Sequence, residues 1–440
     1  MIPLAQTAAQ NPEPKTQNPL RVLYLIGSYG PSVMGNASHE EVVLALRARG
    51  HEVEVFTQIT EPGTPLYTRA VYSGVNVYQV NLAAAGSRLA GLVRPVAGKL
   101  LQYEFLPQLV AAFRRHLRTR EYDLLHVEGA YPFGLIAALA AGRTPFLVNV
   151  QGADVIRLPE ADYGYRRFRL PRAAVSLVFK RATLVRAISP LLADYIVGEG
   201  LVRRDQVEVV LRSIEDAAFP PHGEPLEDFR ATCRREIGNR YGVGLNRPIV
   251  IALSRLHPFK GLEYLVDAIP SIVTARYAAH EQPPWFLICG PSRSTPNFGD
   301  YREYLLQRAS DAGVASHIVF TGQVAHDQVR CHLAAAHILI CPSILEAQNK
   351  VVPEACAVGT PSIVTSTTGI TSYLAPLEAC ISVPPRDADA IAKGVLQMLV
   401  SDQAYNQVQQ RALHAADTLR TEVLAPRLEE VWYRAAGRRH

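Results

Sequence analysis

Two glutamates, Glu346 and Glu354, stand eight positions apart in the segment that runs from Pro342 to Thr365. Ile338 to Cys341 before them reads as a short buried strand, and Gly359, Thr360 and Pro361 after them close a helix before the next strand begins. Pro353 fits only in the first turn of that helix, where its missing N–H is not needed. Glu346 is therefore expected on a strand-to-helix loop and Glu354 about one turn into the helix. Free N–H groups at a helix start attract phosphate and hydroxyl oxygens, and carboxylates beside them accept hydrogen bonds from ribose and sugar hydroxyls. Upstream, Ile249 to Leu253 reads as a strand that runs into a loop ending at Gly261, with Arg255 and Lys260 on it. A guanidinium fork and a mobile ammonium suit a diphosphate that gains charge as it leaves. The chemistry these residues fit is the handling of a nucleotide-diphospho-sugar.

The elements that must position them repeat in both halves of the chain. Arg21 to Ile26 is a first strand, followed by a loop containing Gly35 and Asn36, a helix from His39 to Arg49, and a second strand from His51 to Thr57. The loop lacks the glycine spacing of a dinucleotide fingerprint, which excludes the usual NAD site. Further strands are expected at Tyr122 to Glu128, Pro145 to Val150, Leu184 to Ile188 and Val207 to Leu211. Their C-terminal ends carry His126, Glu128, Gln151 and Asp154, and the last leads to Arg212, Ser213 and Glu215. The second half alternates helices with strands near 249–253, 285–289, 317–320, 338–341 and 361–365. The expected fold class is α/β, with two doubly wound, Rossmann-like units and ligand sites at the C-terminal strand ends. Asp387 and Asp389 have the spacing of a metal-binding pair, but they open a helix after Pro384 and Pro385, so Asp387 reads as an N-cap and no metal site is expected.

With Arg255, Lys260, the two spaced glutamates and Gly359-Thr360-Pro361 in this order, the chain resembles the family-4 retaining glycosyltransferases, over nearly its whole length from Leu20 to about Trp432. The resemblance implies the GT-B fold, two Rossmann-like domains facing across a cleft: an acceptor domain over residues 19–219, a nucleotide-sugar domain over 220–419, and a last helix, about 420–440, packed back on the first. Residues 1–18 are expected as a disordered lead-in. By the same resemblance Glu354 holds the ribose, while Glu346 and the backbone of Ala347, Gln348, Asn349 and Lys350 hold the donor sugar. Gly35 would let backbone approach the donor phosphate. Glu346, Arg255, Lys260 and His126 are the candidate catalytic residues, and His126, Glu128, Gln151 and Asp154 face the acceptor. The chain departs from the family pattern at four places. Ala347-Gln348-Asn349 replaces Gly-Phe-Gly, Gln151 stands where a His is common, Asn36 replaces the second residue of a Gly-Gly pair, and Arg212-Ser213 replaces a common Asn-Gly. Gln151 cannot shuttle a proton, so it can only orient a hydroxyl. Gln151, Asn36 and Arg212-Ser213 favour one rival, a degenerate sugar-nucleotide-binding partner subunit, and a phosphorylase or epimerase of the same fold is the enzymatic rival.

Composition narrows the setting. At 440 residues the chain is too long for one core, and its formal charge of +5 is modest for that size, which argues against a dedicated nucleic-acid binder. No resident cofactor is expected, the nucleotide-sugar being a co-substrate. No apolar run approaches the roughly 18 residues of a membrane span. All six cysteines follow position 232 without a Cys-x-x-Cys pair, which suits reduced thiols and a cytoplasmic protein. Between Arg157 and Arg186, however, eight Lys or Arg residues stand against two acidic ones, beside Phe168, Leu170, Val175, Leu177, Val178 and Phe179. That mixture suggests reversible contact with the inner face of a membrane and a glycan or lipid-linked acceptor.

Overall fold

The computed structural model describes residues 16–30, 37–84 and 88–438. The expected lead-in lies largely outside them, as does Gly35. Its end is not loose: the Thr16 amide donates to Arg49 O at 2.9 Å, and the Tyr433 hydroxyl donates to Asn18 O at 2.8 Å.

Eight strands form the first sheet: β1 Arg21–Leu25, β2 Glu52–Ile59, β3 Tyr67–Tyr72, β4 Val75–Asn81, β5 Leu124–Glu128, β6 Phe146–Val150, β7 Leu184–Ala187 and β8 Val207–Val209. Their order is β3-β4-β2-β1-β5-β6-β7-β8. All neighbours are parallel except β3 and β4, an antiparallel hairpin. The central strands are apolar on both faces because helices cover both, and β5 and β6 are buried throughout. The hairpin is an addition to the expected pattern. It turns on Ser73 and Gly74, both at positive φ (48° and 75°), the geometry a two-residue hairpin needs.

β9 Ile249–Leu253, β10 Trp285–Cys289, β13 Ile318–Gly322, β14 Ile338–Cys341, β15 Ser362–Thr365 and β16 Ile381–Val383 make the second sheet, in the order β13-β10-β9-β14-β15-β16. A short ribbon of β11 Ser294–Thr295 and β12 Gly299–Asp300 sits beside it. The order reverses at β9 and β14 in one sheet and at β1 and β5 in the other. Open parallel sheets bind ligands at such reversals.

The helix Thr421–Ala435 packs under the first sheet. Trp432, Tyr433 and Leu428 share a core with Leu20, Val22 and Val43. Asp387 caps the helix Ala388–Val400, its carboxylate accepting from the Ala390 amide at 2.8 Å. Among the described residues the six cysteines are unpaired and all but Cys331 are buried, and no helix is long and apolar enough to cross a membrane.

The basic stretch is only partly a surface. Arg166 is buried, donating to Val155 O at 2.8 Å and Glu199 at 3.1 Å, and Arg186 is buried against Val210 O and Leu211 O. Val175, Val178 and Phe179 lie in the core. What remains on the outer face of the helix Arg169–Arg181 is Arg169, Leu170, Leu177, Lys180 and Arg181.

Candidate functional site

The loop after β9 is short and tightly held. His257 accepts from the Phe259 amide and opens the single turn Pro258–Lys260. Gly261 then turns the chain at φ 63°, where a Cβ would stand 2.2 Å from Pro342 O, so only glycine lets the two ligand loops meet. Lys260 is 8 % exposed, while Arg255 stays exposed at the loop tip.

The facing loop, between β14 and the helix Val351–Ala357, brings Glu346 against Lys260. Lys260 Nζ lies 2.5 Å from Glu346 Oε1. The second oxygen accepts from Ser343 Oγ at 2.8 Å and Asn349 Nδ2 at 2.9 Å. Burial works against the charge of Glu346, but Lys260 first, then Asn349 and Ser343, outweigh it and hold the carboxyl below its usual range. Asn349 sits at φ 79° and its Oδ1 accepts from the Val352 amide at 3.0 Å. That explains how Asn replaces a glycine here: it tolerates the left-handed region and caps the helix as well.

Glu354 is buried, and that burial raises its carboxyl above the usual range despite Lys350. Lys350 stands 3.6 Å from it but also pairs with Glu215, which accepts from His326 Nε2 at 3.0 Å. Neither Glu215 nor His326 was assigned a role from sequence. A Glu on a coil segment between two domains carries no local signal. We expect Glu354→Gln to weaken binding of a bare nucleoside diphosphate by about tenfold, a charge-assisted ribose bond becoming a neutral one. Glu346→Gln should leave that affinity within a factor of two and impair turnover. Calorimetry on both variants checks this, and equal losses would contradict the division of roles.

Across the cleft the four predicted residues converge, with different duties from those expected. Glu128, 5 % exposed, accepts from the Tyr24 hydroxyl, His126 Nε2 (3.1 Å), Asn149 Nδ2 (2.5 Å) and Gln151 Nε2. Burial opposes its charge, yet His39, His126 and Arg186 hold its carboxyl well below the usual range. His126 is corrected from a catalytic and acceptor-facing role. It is fully buried, its Nδ1 accepts from Trp432 Nε1 at 2.8 Å and its other nitrogen serves Glu128, so neither meets a substrate. Asp154 is corrected likewise: its carboxylate accepts from the amides of Ala130, Gly152 and Gln151, which shapes the loop after β6 instead of touching an acceptor. Gln151 remains half-buried beside Glu128 as an orienting amide.

The two halves close on one another around these groups. Ser189 Oγ donates to Ala347 O at 2.5 Å, and the Gln348 amide bonds both the backbone N–H (2.8 Å) and O (3.1 Å) of Arg212. Tyr163 stacks on Phe259 with centroids 4.0 Å apart, and Asn297 bonds Asp162. Tyr163 thereby comes close enough to Glu346 and Arg255 to feel both charges. It was missed because its partner lies on a loop of the other unit.

Comparison with known proteins supports one lineage. The family model described as glycosyl transferases group 1 matches residues 234–414, and that of the glycosyl transferase 4-like domain matches 36–212. The GDP-mannose-dependent alpha-(1-6)-phosphatidylinositol monomannoside mannosyltransferase of Mycobacterium tuberculosis is 28% identical over 309 residues, covering 67% of this chain and 71% of that protein. In three dimensions, sucrose-phosphate synthase from Thermosynechococcus elongatus matches with a TM-score of 0.71 at 20% identity, over 94% of this chain and 98% of its own. The Anabaena HepE protein in complex with UDP and glucose matches at 0.67 and 17%, over 94% and 99%. These likenesses show the GT-B fold. Taken with the two matched family models and the paired sheets, they make this chain a glycosyltransferase of the family-4 group with the GT-B architecture.

Proposed function

We propose that this glycosyltransferase is retaining and needs no metal ion, moving a sugar from a nucleotide-diphospho-sugar to a hydroxyl of a glycan or lipid-linked acceptor in glycoconjugate synthesis. The observation that carries the reading is the Lys260–Glu346 pair at 2.5 Å, with Arg255 on the same loop, at the reversal between β9 and β14. Two cations there can balance the charge that grows on a departing diphosphate. Glu346 keeps Lys260 in place and offers its carboxylate to sugar hydroxyls, and Glu354 does the same for ribose. The donor enters with the cleft open. In the closed arrangement the recess beside Lys260, Ser343 and Asn349 is narrow.

Retention rests on the likeness to the family-4 retaining glycosyltransferases, and by the same likeness the leaving phosphate, on the face it departs from, takes the acceptor's proton. The relative named as GDP-mannose-dependent and the neighbour bound to UDP make GDP- and UDP-sugars the first donors to assay. Turnover should persist in excess EDTA, and NMR of the product should show the donor's anomeric configuration. Activity that returns only on adding Mg2+ or Mn2+, or an inverted product, would overturn these two points.

A cytoplasmic enzyme that touches the inner membrane face reversibly fits the outer side of the helix Arg169–Arg181. Leu170 and Leu177 are 44% and 37% exposed there, flanked by Arg169, Lys180 and Arg181. Three cations at about 1 kcal/mol each near an anionic surface give weak, salt-sensitive binding. We expect co-sedimentation with anionic liposomes at low salt, lost in an Arg169/Lys180/Arg181→Glu variant. Binding that ignores the variant would favour a soluble acceptor.

A further inference from the structure

Beside Gln151 a narrow recess opens at the C-terminal ends of the first sheet, lined by Ser38, His39, Asn149, Arg212 and Ser213 among others. Three buried polar atoms of its lining have no partner among the described residues: Asn149 Oδ1, Ser213 Oγ and Arg212 Nε. Asn149 and Ser213 are 3% and 6% exposed, and buried polar atoms in native proteins are nearly always bonded to protein, ligand or water. The charges point the same way. Arg212 Nη2 donates to Ser38 Oγ at 2.9 Å and His39 Nε2 at 3.1 Å. Burial pushes the His39 imidazole down to about 3, against the opposing pull of the Glu128 carboxylate. Glu215 is committed to Lys350 and His326, and Glu128 to its four donors. Among the described residues Arg212 has no carboxylate partner. Arg186, buried against two backbone carbonyls, adds a second positive charge to the wall.

We infer that this recess binds the acceptor by a phosphate group held on the Arg212 fork, with adjacent hydroxyls bonded to Asn149 Oδ1 and Ser213 Oγ. The inference rests on the transferase reading, which makes this the acceptor's side of the cleft. It belongs to this chain in particular, since Arg212 and Ser213 stand where the family commonly has Asn-Gly. A guanidinium fork matches phosphate oxygens in pairs, which a neutral amide cannot do. The recess adjoins the donor side, since the Gln348 amide of the Glu346 loop bonds the backbone of Arg212.

The test is calorimetry on the full chain with its nucleotide site filled by GDP or UDP, titrating glycerol 3-phosphate against glycerol. Glycerol 3-phosphate should bind and glycerol should not. Arg212→Gln should weaken glycerol 3-phosphate at least about tenfold, the loss expected of a charge-assisted pair, with nucleotide affinity within a factor of two. Should Arg212→Gln fold poorly, Ser213→Ala removes only an unpartnered hydroxyl and is expected to cost about threefold. Vesicles containing phosphatidylinositol distinguish the source. Arg212-dependent retention on them assigns a lipid-borne phosphate, whereas a response confined to glycerol 3-phosphate assigns a water-soluble one. Phosphate affinity unchanged in both variants, or lost equally in Lys260→Ala, overturns the inference while intact nucleotide binding leaves the transferase reading standing. Failure of the wild type to bind either nucleotide overturns that reading and the acceptor role with it.

Discussion

Lys260→Ala is expected to lower kcat by about 10²-fold or more, the usual loss when one preorganised electrostatic group is removed from a buried site. Lys260 is largely buried, and its ammonium is the main cation facing Glu346. Two effects should combine. The departing diphosphate loses a counter-charge, and Glu346 keeps only Ser343 and Asn349 as partners. Breaking such a pair also costs stability, of the order of 3–5 kcal/mol when both groups are deeply buried. Lys260→Arg separates the two: it restores a charge near Glu346, but the rigid fork cannot follow the phosphate as a flexible ammonium does. Arg255→Ala, at the exposed tip, should act on turnover with little effect on stability. Steady-state kinetics with urea titrations on the three variants distinguish these outcomes. If Lys260→Ala and Arg255→Ala both turn over within a factor of a few of the wild type, the diphosphate is held elsewhere.

Trp432→Ala should destabilise the first sheet's unit by about 3–5 kcal/mol, the range for deleting a large buried aromatic. Trp432 is fully buried among Leu20, Val22 and Val43, and its indole N–H is the donor to His126 Nδ1. Removing it leaves that nitrogen unpaired and frees the imidazole to change tautomer. Glu128 would then lose one of its donors. Trp432→Phe keeps most of the packing but not the bond, so it should cost about 1–3 kcal/mol. Urea unfolding followed by far-UV circular dichroism reads both. An unshifted first transition in Trp432→Ala would mean that the last helix is not part of that unit's core.

The sequence by itself determined most of the elements, the β3–β4 hairpin excepted, and the order of the ligand loops. Strands buried on both faces announce themselves as apolar runs, as at Ile249 to Leu253 and Ile338 to Cys341. Helix punctuation is equally local, as Asp387 before Ala388 and Gly261 before Leu262 show. Arg255, Lys260, Glu346 and Glu354 were legible for that reason: each sits a fixed distance from a strand end or helix start. The lining of the opposite wall was not. His126 reads as an open strand-end histidine until Trp432, 306 positions away, caps it. Asp154 reads as a free carboxylate until three amides from two strand ends take it up. Arg166 and Arg186 read as surface charge until backbone carbonyls claim them. Lys350 meets Glu215 only because the cleft is closed. A buried polar group takes whatever partner the docked helices and sheets bring within about 3 Å, since leaving it unpaired costs more than most other choices. That choice depends on how distant segments pack, which neither hydrophobic period nor motif spacing encodes.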